Sequence, residues 1–555
     1  MMATAAEEIC SSHAISENTD TSVSFKSARK NQDRTWKLRF IYLQCYFLTI
    51  ATILGTGILG LPVTIARAGL LPFLTSFLIG FLVQALLIYL FVDLLQRCRL
   101  AQLETIKPLE TSERISMDDV GSDEHQTLNT EEEEYGEDME ADTGLLQRDA
   151  TARRQKEELQ PNLHILGVLF LGKHTSRAFN FVLLFQFHVY VIPAFTWTLS
   201  LGILLAQTII QPITSLLTLL KGILLVITVA VTFVVGSEVH QETTNDFTQI
   251  GKPFLMGTVA LGGIVNVMPF LFSEISHVKT QVLWFRRAVL GGLATCTLLN
   301  ILWCWAVLEI VPQLAVQSVL EQRVLNNSAG QTETIPFVHT FVYSNISLEE
   351  SEKAGEIATI PLTKIITQRY SRFSWVAELI QIFITISVSV SFLVMGTAMK
   401  HTIDGLVSTH WTENAELMAR ISARLLPHSS QWRTLAQSIQ HCRRFFCGFS
   451  SFLAFGVIFV VSACDPKGFV VMLDKVVSFS LNTEVGLFIF LMLRTSRSER
   501  FKHITVPLPV TARLFSLYWL LPIYFLFAVV YDVFQSLLEI TENMSHTLHA
   551  NSSLL

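Results

Sequence analysis

Gly55-Thr56-Gly57-Ile58-Leu59-Gly60-Leu61-Pro62 and Gly262-Gly263-Ile264-Val265-Asn266-Val267-Met268-Pro269 each set glycines and a proline inside a long apolar run. Proline removes a backbone hydrogen bond and glycine adds backbone freedom, so a kink or unwinding is expected at both. Inside a bilayer such backbone survives only where protein buries it or where it lines a wet cavity. Freed N–H groups can there hold a carboxylate, and freed carbonyls a cation or an ammonium. The same glycines also suit a small-residue face for close helix packing. Ionisable side chains in apolar runs are costly and often functional. Here they are Asp93, His188, Lys221, Glu274, Glu309, Asp474, Lys475, Glu484 and Asp532. Asp93, Glu309, Asp474, Lys475 and Asp532 lie near run ends and carry no assigned mechanism. His188 lies deeper, where an imidazole suits a proton-coupled step or a structural hydrogen bond.

Other chemistry has no foothold. No paired nucleophile and base, HExxH helix or cofactor loop is present, so an enzyme is not expected. The eight cysteines are scattered, with no CxxC or Cys/His cluster at metal-ligand spacing, which makes a metal centre or a disulfide scaffold a poor reading. Nothing in the charge pattern suggests nucleic-acid binding.

The elements that must position these residues follow from composition. Of 555 residues, 50% are hydrophobic and 15% charged, against about 25% charged in soluble domains, and mean hydropathy is +0.45. A polytopic membrane protein is expected. Ten apolar stretches are long enough for a helix to span the hydrocarbon core, near 40–66, 70–96, 177–211, 214–236, 253–275, 288–312, 373–399, 446–464, 467–493 and 512–538. Their length excludes β-barrel strands. The fold class is an all-α integral membrane bundle.

Sidedness follows from basic connectors and glycosylation sequons. Lys26, Arg29, Lys30, Arg34, Lys37 and Arg39 precede the first span and place it with a cytosolic N-terminus. Sequons at Asn326, Asn345, Asn543 and Asn551 place the 313–372 loop and the C-terminal tail on the lumenal or extracellular side. Six spans before Asn326 would return that loop to the cytosol, so one crossing is missing between about 160 and 250. Residues 177–236, interrupted by Pro193 and Gln211-Pro212, could hold three short tilted spans, giving about eleven helices; the alternative is that 253–275 is re-entrant. Between Glu104 and Asp142, fifteen acids stand against Lys107 and Arg114. This reads as a disordered cytosolic loop, either a solvated linker or a site for a regulatory or sorting partner. Leu145-Leu146 after Glu140 and Asp142 is close to an acidic dileucine signal.

Gly55 to Pro62, followed by Ala66 and Ala68-Gly69, resembles the first-helix signature of the amino acid/auxin permease family, roughly G-x-G-I-L-x-L-P and then A-G. Asn266 to Ile275 is similar to that family's sixth helix. The resemblance implies a LeuT-like fold of inverted five-helix repeats, with helices 1 and 6 broken and substrate held between them near mid-membrane. It implies that Gly55, Thr56, Gly57 and Ile58 receive the amino-acid carboxylate and that Gly262, Gly263 and Asn266 complete the pocket. In sodium-coupled members the ion lies between helix 1 and hydroxyls of helix 8, where Thr385, Ser387 and Ser389 are available; Thr385, Ser389 and His188 are the ion-coupling candidates. Glu274 matches an acid that follows the sixth helix and would position a gating loop. The chain departs from the family pattern in its compressed 177–236 region and its acidic insertion.

The expected organisation is a cytosolic disordered N-terminus (1–38), helices 1–2 (39–97), the acidic loop (98–176), helices 3–7 (177–312), a glycosylated loop (313–372), helices 8–11 (373–540) and a lumenal or extracellular tail (541–555). The expected function is secondary active transport of amino acids, neutral ones favoured by a small apolar pocket, with a sodium ion or proton as coupling ion and no cofactor. The alternative is an amino-acid sensor of the same fold that signals through its cytosolic loop. The dileucine-like element and the sequons favour an endolysosomal or vacuolar membrane over the plasma membrane.

Overall fold

The computed structural model describes residues 36, 38–55, 57–58, 60–118, 161–187, 207–239, 243–314, 316–322, 338–343, 346–425, 445–457 and 473–552. Among them, eight helices are long and apolar enough to cross a membrane. These are α1 (Leu38–Thr64), α2 (Leu70–Asp118), α5 (Gln207–Val239), the pair α6 (Gly251–Gly262) and α7 (Ile264–Ser273), α8 (Lys279–Ile310), α11 (Ser374–Leu425), α13 (Lys475–Ser496) and α14 (Leu520–Ser552). Shorter helices are α3 (Leu163–Phe170), α4 (Lys173–Phe187), α9 (Leu348–Lys353), α10 (Thr359–Arg369) and α12 (Phe445–Val457). A small antiparallel hairpin, β1 (Val316–Gln322) with β2 (Val338–Tyr343), follows α8. Residues 188–206, with His188 and Pro193, lie outside the described residues.

The bundle has a centre and a rim. The apolar window of α1 is 94% buried and that of α6–α7 89%, against 39% for the α5 window and 22% for α14. The two glycine-rich runs thus lie on the innermost helices. α1 can sit there only if its backbone polar groups are satisfied. Pro62 has no N–H for the Ile58 carbonyl four residues earlier, and the Trp303 indole of α8 donates to that oxygen instead, at 2.7 Å. At the end of α1, Gly69 adopts φ +84°, a left-handed turn that a Cβ would strain. The Asp246 N–H donates to the neighbouring Ala68 carbonyl at 2.8 Å.

Two polar clamps fix the ends. Asp93 of α2 is buried between Arg97 (3.0 Å) and Arg497 (3.1 Å), and Gln96 exchanges hydrogen bonds with the backbone of Leu508. The connector after α13 is thereby fastened to α2. At another edge, Glu349 of α9 pairs with Arg67 and Lys353, and Glu352 pairs with Lys252 of α6. Burial opposes ionisation of Glu349, yet hydrogen bonds and charge from Lys353 and Arg67 hold its carboxyl below the ordinary value.

Two segments differ from the sequence expectation. The 98–176 stretch, expected to be unstructured, carries the end of α2 as far as Asp118, all of α3 and the start of α4; α3 forms because Leu163, Leu166 and Phe170 make an apolar face that buries itself. Asn162 caps it by accepting from the Ile165 N–H at 2.8 Å, and Phe170 packs edge-on against Phe501. Pro212, expected to interrupt the chain, lies within α5, which starts at Gln207.

The connector between α7 and α8 carries His277, with neither ring nitrogen hydrogen-bonded within the protein. Burial, and then the Arg99 charge, push it down to about 4 from 6.5. The unfolded chain therefore binds a proton that the folded one refuses, so stability falls as pH drops from 6.5 toward about 4. His277→Asn is expected to flatten that part of the melting-temperature profile; an unchanged slope would show that other groups set it.

Candidate functional site

The two glycine runs meet. An ideal Cβ on Gly57 would lie 2.6 Å from Ala260 Cβ of α6, and one on Gly263 would lie 3.7 Å from Thr52 Cγ2 of α1, so the helices run antiparallel at close range. The α6–α7 span is interrupted at Gly263, as expected. α1 is helical at Gly55, Gly57, Ile58 and from Gly60 to Thr64, while Thr56 and Leu59 lie outside the described residues.

In this conformation the glycines are packing contacts. A Cβ on Gly55 would fall 2.1 Å from Ser391 Oγ of α11, and one on Gly262 would fall 2.4 Å from Leu481 of α13. Asn300 of α8 brings its side-chain oxygen to 3.4 Å from the Gly57 Cβ position, and that oxygen has no hydrogen-bond partner within the protein. Asn266 is buried with both amide atoms likewise unpartnered. By the Gly263–Thr52 register it lies level with about residue 49, roughly 12 Å along α1 from Gly57 at 1.5 Å per residue. Gly57 and Gly263 thus lie on the α1–α6 contact, whereas Gly55 faces α11, Gly262 faces α13, the Ile58 carbonyl faces α8, and Asn266 stands apart.

The sequence candidates for ion coupling separate in the same way. Thr385 is exposed and donates to Gln381 O, while Ser389 is buried and donates to Thr385 O; both are bonds along their own helix. His188 lies outside the described residues, as do Asn326 and Asn345; Asn543 and Asn551 fall in α14. Glu274 ends α7 with its side chain exposed.

The group that reaches the centre is Lys221 of α5. Its side chain is fully buried, and Nζ donates to Ala51 O of α1 at 2.9 Å, to Ser391 Oγ of α11 at 3.1 Å and to Ser387 O at 3.5 Å. Ser391 in turn donates to Ser387 O at 2.8 Å. Among the described residues Lys221 makes no ion pair with an acid. Burying a lone ammonium costs several kcal/mol, and hydrogen bonds from a charged donor return about 1.5–3 kcal/mol each. Neutral oxygens therefore carry the charge, and it ties three helices at one point. The sequence signal was a lysine within the apolar run 214–236; nothing in the sequence named its partners.

Compared with known proteins, the chain matches no family model and no curated sequence.

Lys221→Met keeps the stem and removes the charge without leaving an orphaned acceptor, because Ser391 still bonds to Ser387 O. It is expected to melt no lower than wild type. Ser391→Ala leaves the ammonium one acceptor short and is expected to lose about 1–3 kcal/mol. A marked loss for Lys221→Met with none for Ser391→Ala, measured by thermal unfolding in nanodiscs, would contradict the assignment of neutral acceptors.

Proposed function

We propose that the chain is a secondary active transporter of small neutral amino acids, working by alternating access and driven by protons. The observation that carries this reading is the Lys221 ammonium, held between α1 and α11 by two carbonyls and a hydroxyl. Such an oxygen set suits a hard monovalent cation. In the LeuT-like arrangement suggested by the first-helix signature, a sodium ion would sit between helix 1 and helix 8. Lys221 places a proton-carrying cation against the same helices, which favours a proton over sodium. Losing that proton leaves an amine with weaker bonds to Ala51 O and Ser391, loosening α1 from α11.

In this reading Gly57 of α1 and Gly263 at the α6–α7 break border the substrate path, and the contacts of Gly57 with Ala260 and of Gly262 with Leu481 represent a closed state. Opening requires α1 to part from α6, which glycine surfaces permit without breaking interlocked side chains. Asn300, with its free amide oxygen beside Gly57, is a recognition group for a substrate ammonium. The eleven-helix, two-repeat architecture belongs to this proposal, as does an endolysosomal or vacuolar location.

The test is uptake of a labelled amino-acid panel into proteoliposomes under imposed proton or sodium gradients. Proton-driven uptake by wild type is expected, with at least a tenfold loss of gradient response, about 1.4 kcal/mol in free-energy terms, in Lys221→Met. Sodium-driven uptake would overturn the coupling assignment. Substrate binding without uptake under any gradient would replace the transporter by a sensor of the same fold.

A further inference from the structure

Glu484 is a second ionisable group buried within the bundle, and it is not part of the Lys221 cluster. It is fully buried on α13, and neither carboxyl oxygen has a hydrogen-bond partner within the protein. Its surroundings follow from how α4 packs. Phe179 meets Phe488, and the rest of the contact of α4 with α13 runs mainly along Ser478–Ile489 rather than Phe490–Ser496, so α4 and α13 run antiparallel. Seven residues on from Phe179 is Gln186, and seven before Phe488 is Leu481, which sets Gln186 level with the Ser480–Glu484 turn. Ser480, Glu484 and Phe488 are spaced four apart, so Glu484 and Ser480 share the face that Phe488 turns toward α4. Gln186 Oε1 and Ser480 Oγ are also buried without partners.

The Ser480 hydroxyl can partner Glu484 in either protonation state, but the Gln186 oxygen is matched in only one. An ionised carboxylate accepts but cannot donate, whereas a carboxylic acid carries an O–H that suits the donor-less oxygen of Gln186. A bare carboxylate would also carry an uncompensated charge, costly in an apolar interior. Charged or titratable groups on the helices packed against this turn are Lys173, His174 and Arg177 of α4, exposed at its opposite end, Lys252 at the start of α6, exposed and paired with Glu352, and Tyr524, Tyr531 and Asp532 of α14. On α13 itself, Lys475 pairs with Asp532 at 3.9 Å, and Arg494 is exposed at the far end. Among the described residues, none makes an ion pair or hydrogen bond with Glu484.

We propose that Glu484, with Ser480 and Gln186, forms a proton-binding site between α4 and α13, separate from Lys221. The carboxylate takes its proton from water and becomes a neutral acid; no other bond changes. The backbone here is suited to a change of state. Glu484 opens a π-helical segment running to Ile489, and Gly486 within it lies against Phe525 and Leu526 of α14. Such segments recur at functional sites. Water reaches the acid only when α4 and α13 separate, so proton occupancy follows the spacing of these helices.

This inference does not depend on any transported substrate, and its test uses the purified full chain in nanodiscs. Infrared difference spectra recorded on raising the pH in potassium buffer are expected to show loss of a protonated carboxylic-acid carbonyl band in wild type. Glu484→Gln should lack that band. Glu484→Asp should show it displaced, which covers the case of a Gln variant that fails to fold. An unaltered band in both variants would overturn the proposal. Removal of the wild-type band by sodium at constant pH would overturn it in favour of a sodium site.

Discussion

A buried ammonium without a countercharge constrains the rest of this bundle. Lys221 reaches Ala51 O and Ser391 Oγ within hydrogen-bond distance at once, and that is possible only because α1 and α11 approach closely. The approach depends on Gly55, whose missing side chain is what lets Ser391 fit. The lysine and the glycine are therefore one device. The glycine admits the hydroxyl, the hydroxyl holds the cation, and the cation ties α5 to both neighbours.

The same economy of small residues recurs around α1. Gly57 admits Ala260 and Gly292 admits Thr49, so the most buried helix is surrounded by contacts close enough to exclude most side chains. Such surfaces slide or part more readily than interlocked ones. Against them stand the fixed points, namely the Asp93–Arg97–Arg497 cluster at one end and the Glu349 and Glu352 ion pairs at another. Rigid ends with a centre held by one protonatable group form an arrangement in which a single proton can alter helix spacing.

Much of the architecture was legible in the sequence because apolar length is a local property. Eight of the ten apolar runs correspond to helices long enough to span, while the runs 177–211 and 446–464 extend into residues outside those described; the break at Gly263 follows from its glycine pair and the nearby Pro269. What was not legible depends on register between distant segments. Lys221 stood out as a charge in an apolar run, but its acceptors lie 170 and 166 residues away. Ser387 and Ser391 face it, whereas Thr385 and Ser389 turn elsewhere, because residues four apart share a helix face and residues two apart do not. An unsatisfied carbonyl at Ile58 could be counted from Pro62; the donor, Trp303, could not. α3 was hidden by the acidic composition preceding it, although its Leu-rich octet is apolar.

The most direct measurement is the distance between spin labels on the ends of α1 and α11, recorded in nanodiscs as pH is raised. If protonated Lys221 ties these helices, the distance distribution in wild type should broaden or shift on deprotonation, while Lys221→Met should show the altered distribution at every pH. A distribution that is the same in both proteins, and independent of pH, would contradict the role assigned to this lysine.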